Sequence, residues 1–236
     1  MKDISQTWYN EAYQKHGLEA QRKYPNEEML RFIGREFSSK IEYGKRQETK
    51  ILELGSGSCA NLWAVAKEGY DAYGIDFSEE AVELGRGVLK KWNVSANISV
   101  GDMRELPYVD EYFDGVFDIL STHSQIESEF NTTINEVKRV LKPGGSFFSF
   151  FPSANSDAYK NYKPAEKIEE FTLNGILREN SPYFGSFHPF RFMYPEKYKM
   201  FLEEKNFKIK AIEVVTRTYQ DLKESFETIS IVGEKC

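Results

Sequence analysis

The sequence predicts an α/β fold, with a mostly parallel sheet doubly wound by helices on its two faces. Three observations carry this. Short apolar runs at residues 50–54, 71–75, 97–100, 113–121 and 146–151 alternate with amphipathic helical stretches, the pattern of successive βαβ units. The first run passes through Gly55-Ser56-Gly57 into a helix from about Ala60, a strand–turn–helix that cradles ligands. Residues 207–216 and 226–232 alternate as two closing strands. A chain of 236 residues fits a single domain over 1–236.

Residues 1–47 precede the first strand and read as an N-terminal helical arm. Trp8, Tyr9 and Tyr13 recur at a spacing that places them on one helical face. A second helix follows Tyr24-Pro25, with Asn26 as its N-cap, Glu27 and Glu28 at its positive end, and Met29, Phe32, Ile33 and Phe37 as its apolar stripe. One reading packs the first helix on the sheet edge. The other folds it over the ligand as a lid and offers Trp8, Tyr9 and Tyr13 to ligand or substrate.

At the turn, Gly55 permits a backbone conformation closed to residues with a Cβ, and Gly57 allows close approach to the main chain. Gly55-x-Gly57-x-x-Ala60 also satisfies the dinucleotide fingerprint. Glu53, two residues before the turn, suits the ammonium of an amino-acid-like ligand and would repel a pyrophosphate. Asp76 ends the second strand, nineteen residues beyond Gly57, near the spacing of about 20 for a ribose-binding carboxylate.

Between them, Leu62, Val65 and Ala66 face a helix inward that stops at Gly69; Ser78 then caps a helix that begins with Glu79 and Glu80. Gly85 and Gly87 lie inside that helix with no evident purpose beyond close packing. Strand three leads into Gly101-Asp102-Met103, and strand four, 113–121, ends in Ser121-Thr122-His123-Ser124 at the carboxyl edge of the sheet, where ligands of such folds bind. An amphipathic helix over 131–142 runs into the helix stop Lys142-Pro143-Gly144-Gly145. Residues 152–194 break the alternation with many aromatics and one possible helix at 165–177. This insertion reads either as a substrate-binding cap or as a covering layer. Tyr194-Pro195 then starts a helix that ends near Lys205, opening the C-terminal segment 195–236.

Glu53-Leu-Gly55-Ser-Gly57-Ser-Cys59, Gly74-Ile-Asp76-Phe77-Ser78 and Gly101-Asp102-Met103, in this order, resemble the class I S-adenosylmethionine-dependent methyltransferases. The resemblance covers roughly residues 48–151, a cofactor-binding core. It implies a Rossmann-like seven-stranded sheet with the last strand antiparallel. It also implies S-adenosylmethionine as cofactor and S-adenosylhomocysteine as product. Glu53, Gly55, Ser56 and Gly57 would hold the methionine part, Asp76 and Phe77 the ribose side, and Asp102 and Met103 the adenine, with Ser121 at the edge of strand four. Family members often carry a third glycine where Cys59 stands, a small departure because a thiol is compact.

A hydroxyl acceptor needs a general base, whereas an amine need only arrive unprotonated. His123, at the end of strand four, is the first candidate base; its alternative is a bond to loop backbone. His188 with Arg191 could serve catalysis or hold an anionic substrate, or staple the cap. His16 reads as surface. No acid or histidine cluster has metal-ligand spacing, so a metal-independent reaction is expected. A net charge of −6 and a pI of about 5.3 disfavour nucleic acid as a partner. Cys59 and Cys236 stand apart, no apolar run approaches bilayer length, and Met1 to Gln6 carries no signal-peptide core. A cytoplasmic protein without a membrane partner is expected, either monomer or homodimer. The leading function is O- or N-methylation of a small polar molecule by in-line transfer. The rivals are an NAD(P)-dependent oxidoreductase, which leaves Glu53, Asp102 and the closing strands unexplained, and a non-catalytic S-adenosylmethionine-binding protein.

Overall fold

Seven strands form one sheet: β1 (Lys50–Leu54), β2 (Asp71–Asp76), β3 (Asn97–Val100), β4 (Phe113–Ile119), β5 (Leu141–Pro152), β9 (Phe207–Tyr219) and β10 (Glu224–Lys235), in the order β3-β2-β1-β4-β5-β10-β9. The pairs among β1–β5 are parallel, and β10 runs antiparallel to both its neighbours. Chain order reverses between β1 and β4, so the connections leaving those two strands diverge and open a crevice at their carboxyl ends. The computed structural model describes residues 4–20 and 22–236; Met1 to Asp3 and Gln21 of the expected arm lie outside them. Among the described residues no helix is long and apolar enough to cross a membrane.

Local chemistry sets most of the helices. The Asn26 side chain accepts from the backbone of Glu28 and Met29 and starts α2 (Glu27–Ile33), while Ser78 Oγ accepts from Ala81 N and starts α4 (Glu79–Lys91). The helix α1 (Ile4–His16) precedes both, and α3 (Leu62–Lys67) follows the glycine turn. One sheet face is covered by α2 and α3, with Phe32 stacked on Phe148 at 4.9 Å. The other is covered by α5 (Glu127–Val140) and α7 (Pro195–Glu204) through Phe130, Ile134, Tyr198 and Leu202.

Two boundaries differ from expectation. The helix α5 starts four residues earlier than the expected 131, because Glu129 reaches back to the backbone N–H of Ile126. It ends at Val140, and the Lys-Pro-Gly-Gly stretch already belongs to β5. The helix expected over 165–177 does not form. Its place is taken by β6 (Lys167–Glu169) and β7 (Thr172–Leu173), which join β8 (Phe190–Arg191) in a small antiparallel sheet beside the short α6 (Asp157–Lys160). Gly175, at φ +154, lies so close to Ser186 that a Cβ would stand 2.6 Å from its carbonyl oxygen. A helix through this position would forfeit that packing.

Gly85 acquires a reason: a Cβ there would lie 2.7 Å from Cys59 Sγ. Cys59 is fully buried at φ +60, so the thiol in place of a third glycine is accommodated by α4. Nothing in the structure explains Gly87.

Candidate functional site

The crevice at the carboxyl ends of β1, β2 and β4 is a cavity of about 330 Å³. Its floor is the turn after β1. Gly55 and Gly57 take φ +61 and +50, and a Cβ on Gly55 would lie 2.4 Å from Ser121 Cβ. The helix α1 crosses the opening, held by Ser5 Oγ donating to Ser124 O (2.9 Å), Gln6 Nε2 to Phe77 O (3.3 Å) and Gln14 to Glu80. Trp8, Tyr9 and Tyr13 all reach the cavity wall. Tyr13 is buried with its hydroxyl over Gly57, where a Cβ would stand 2.8 Å from it.

Glu53 is 2% exposed. Its Oε1 accepts from Asn61 Nδ2 at 2.7 Å, while Oε2 is buried without a hydrogen-bond partner. Burial pushes its pKa up to about 8, against the pull of Asn61 and of Arg22. Asn61 also accepts from Asn26 N (2.8 Å), so one side chain ties the arm to the acid. Asp76 accepts from Gly57 N (2.8 Å) and Ser78 N (2.9 Å). Burial raises its pKa, and those two donors oppose the rise. A lobe of about 220 Å³ continues past Phe77 and Met103 to Asp102 and Gly101. The Asp102 carboxylate accepts from Arg104 Nε (2.9 Å) and Nη2 (2.7 Å). Burial works against its ionisation, but Arg104 outweighs that and holds its pKa low.

At the other end of the cavity stand His123, Ser124, Tyr183 and Phe190. Tyr9 Oη lies 3.2 Å from Ser124 Oγ, and burial pushes the phenol up to about 12. His123 is 3% exposed, and its Nδ1 has no hydrogen-bond partner. Burial, helped by the nearby His188, lowers its pKa well below that of free histidine, against a backbone hydrogen bond at Leu120 of the kind the alternative reading expected, so the ring is neutral at physiological pH.

The sequence-predicted residues Glu53, Gly55, Ser56, Gly57, Asp76, Phe77, Met103, Ser121, His123, Tyr9 and Tyr13 therefore share one cavity, with Asp102 in its adjoining lobe. Two do not, which corrects their expected roles. The Arg191 guanidinium is committed to Thr172 Oγ1 (2.9 Å), Glu169 (3.2 Å) and Glu127 (3.2 Å), binding the cap to α5. His188 is buried behind the wall, with its ring centroid 5.0 Å from Trp8, 5.1 Å from Tyr9 and 6.1 Å from His123, and its Nδ1 donates to Pro189 O. It supports the lid and the wall rather than touching the space within. Arg22 and Asn61 join the cavity unexpectedly, while Tyr183 and Phe190 come from the aromatic insertion over 152–194. Asn61 had a signal, a polar residue at the start of the helix after the turn; Arg22 had none in local pattern. Among the described residues no group of three or more His, Cys, Asp or Glu side chains is arranged to hold a metal.

A family model described as a methyltransferase domain matches residues 51–145. The chain is 31% identical over 109 residues to the ubiquinone/menaquinone biosynthesis C-methyltransferase of Chromobacterium violaceum, covering 44% of this chain and 43% of that protein. It is 25% identical over 150 residues to a fatty-acid O-methyltransferase of Mycolicibacterium smegmatis, covering 62% and 53%. The match thus spans about half the length of these curated relatives. The crystal structure of an S-adenosylmethionine-dependent methyltransferase from Methanosarcina mazei superposes with a TM-score of 0.64 at 24% identity, covering 79% of this chain and 92% of that one; it shares the fold. In its matched core, residues 51–145, the chain is similar to the methyltransferase domain, and its sheet order is that of the fold it shares with the Methanosarcina mazei structure.

Proposed function

We propose that the chain transfers the methyl group of S-adenosylmethionine to a small molecule by metal-independent, in-line displacement at oxygen or nitrogen. The observation that carries this is Glu53, a buried carboxyl with one unpartnered oxygen beside a glycine turn that has no room for side chains. Such a group suits a ligand ammonium. Asp76 has lone pairs left for ribose hydroxyls beyond its two backbone donors, and the lobe at Met103 and Asp102 sets apolar Phe77, Val100 and Met103 beside polar Asp102, a lining that suits a base. The residues present fit the cofactor.

When bound, the cofactor supplies a carbon already activated for displacement. The chain supplies orientation and exclusion of water. The helix α1 lies across part of the opening, and the Tyr9–Ser124 contact pins it to the loop that carries His123. An acceptor hydroxyl would surrender its proton to His123, which is neutral and holds a lone pair. A base with so low a pKa works best on an acidic hydroxyl such as a phenol or enol.

The function is tested by calorimetric titration with S-adenosylmethionine and S-adenosylhomocysteine beside NADH and NADPH, then by label transfer from methyl-labelled cofactor to an acceptor panel. Binding of a nicotinamide cofactor alone would overturn the proposal. With an acceptor in hand, His123→Ala should lower kcat by about 10² or more for a hydroxyl acceptor and by only a few-fold for an amine. An unchanged kcat with a hydroxyl acceptor would remove His123 as the base.

Glu53 carries a pH prediction. A carboxyl raised to about 8 is protonated in the free protein at pH 7, and pairing with an ammonium would ionise it. Binding should then release about one proton per ligand, and affinity should climb by up to about tenfold per pH unit between pH 6 and 7.5. Titrations in phosphate and Tris buffers, which differ in ionisation enthalpy, read the proton directly. Glu53→Gln should abolish the difference between buffers; no difference in the parent protein would discard the ammonium assignment.

A further inference from the structure

Past Leu120 and Tyr183 the main cavity meets a recess of about 70 Å³ between the start of α2 and the β9–β10 hairpin; Arg22 borders both spaces. Its lining mixes the apolar Phe150, Val215 and Phe226 with the polar Asn26, Tyr219 and Thr228, and its cations are Arg22 and Arg217. Among the described residues neither arginine makes an ion pair. Glu27 and Glu28 also border the recess, on the first turn of α2, where the helix dipole favours carboxylates; Glu28 faces Arg31 at 3.6 Å. Both guanidinium groups bear on the Tyr183 phenol, which burial pushes up to about 12 while Arg22 and Arg217 pull it down. Arg22 and Arg217 line this recess together with Glu27 and Glu28, and an anion seated on the arginine side would take charge-assisted hydrogen bonds from guanidinium groups that no salt bridge among the described residues engages.

We propose that this recess is the anion subsite of the methyl acceptor: the small molecule carries a carboxylate or phosphate held by Arg22 and Arg217, with its apolar body against Tyr183 and Phe190 in the main cavity. The proposal rests on the methyltransferase reading and narrows its substrate class to organic anions. The site of transfer then lies one ring or so from the anionic group, since Tyr183 belongs to both spaces and His123 shares the main cavity with it.

The test titrates S-adenosylhomocysteine-saturated protein with benzoate, phenyl phosphate and the neutral isostere benzamide, followed by ligand-observed NMR or calorimetry. Both anions should bind, with benzamide weaker by about tenfold or more, and the tighter of the two anions identifies carboxylate or phosphate as the recognised group. Arg217→Gln, an exposed position on β9, should weaken the anions by about fivefold or more while leaving benzamide, the melting temperature and S-adenosylhomocysteine affinity unchanged. Equal binding of benzoate and benzamide, no anion binding at all, or benzoate binding indifferent to Arg217→Gln would overturn the proposal. If S-adenosylhomocysteine itself does not bind, the methyl-transfer reading falls; the anion titration on the unliganded protein still decides the recess.

Discussion

Asp76→Ala is expected to raise the dissociation constant for S-adenosylhomocysteine by about a hundredfold or more, since two hydrogen bonds to a charged acceptor contribute roughly 1.5–3 kcal/mol each. The structure adds a second component to this loss. Asp76 is one of the restraints on the glycine turn, through Gly57 N at 2.8 Å, and it also accepts from Ser78 N at the start of α4. Alanine leaves both N–H groups without their partner, so a loss of stability of roughly 1–3 kcal/mol accompanies the loss of binding. Asp76→Asn separates the two components: its amide oxygen still accepts one backbone bond, but the charge that would strengthen the proposed ribose contacts is gone. Calorimetry and thermal melts on both variants read the two effects independently. A dissociation constant within fivefold of the parent's in Asp76→Ala would detach Asp76 from the ribose.

How much of this was legible beforehand follows from how local each determinant is. The caps at Asn26 and Ser78, the turn at Gly55 and Gly57 and the acid at the end of β2 are each specified within a few neighbouring residues, and the structure has them where the pattern put them. The early start of α5 depends on a Glu three residues in, a signal present in the sequence but outweighed by the apolar stripe that begins at Ile134. The helix expected over 165–177 does not form because the residues there have no helical period. The insertion's short strands are joined by Arg191, whose partners Glu127, Glu169 and Thr172 come from α5, β6 and β7. An arginine near a histidine looked like an anion site because the sequence does not show that its charge is already met by carboxylates elsewhere in the chain. The converse holds for Arg22 and Arg217, separated by nearly the whole chain and brought to one recess only by the fold. The match of Gly85 to Cys59 is likewise a three-dimensional fact.

Asp118 is the clearest case of a determinant hidden inside an apolar run, and it carries the second large effect. It lies on β4 with no exposure at all, yet five donors converge on it. Oδ1 accepts from Ser121 N (2.9 Å), Thr122 N (3.0 Å) and the Ser121 hydroxyl, and Oδ2 from Thr122 Oγ1 (2.7 Å) and Ser149 Oγ (3.1 Å). These bonds fix the segment that seats Ser121 against Gly55, presents His123 and receives the lid at Ser124. One buried carboxylate thus sets the floor, the candidate base and the lid anchor together. Asp118→Asn preserves shape but replaces an acceptor with an NH₂ that must face donors, at a cost of roughly 2–4 kcal/mol. For a chain of this length the melting temperature should fall by roughly 5–12 °C. Ser149→Ala, which removes one donor of the five and none of those on the loop, should cost only about 1 kcal/mol. Because the lid is anchored through Ser124, Asp118→Asn should also weaken S-adenosylhomocysteine binding, whereas Ser149→Ala should not. A melt within 2 °C of the parent's, or equal effects of the two substitutions, would show that the loop at the end of β4 holds its shape without this carboxylate.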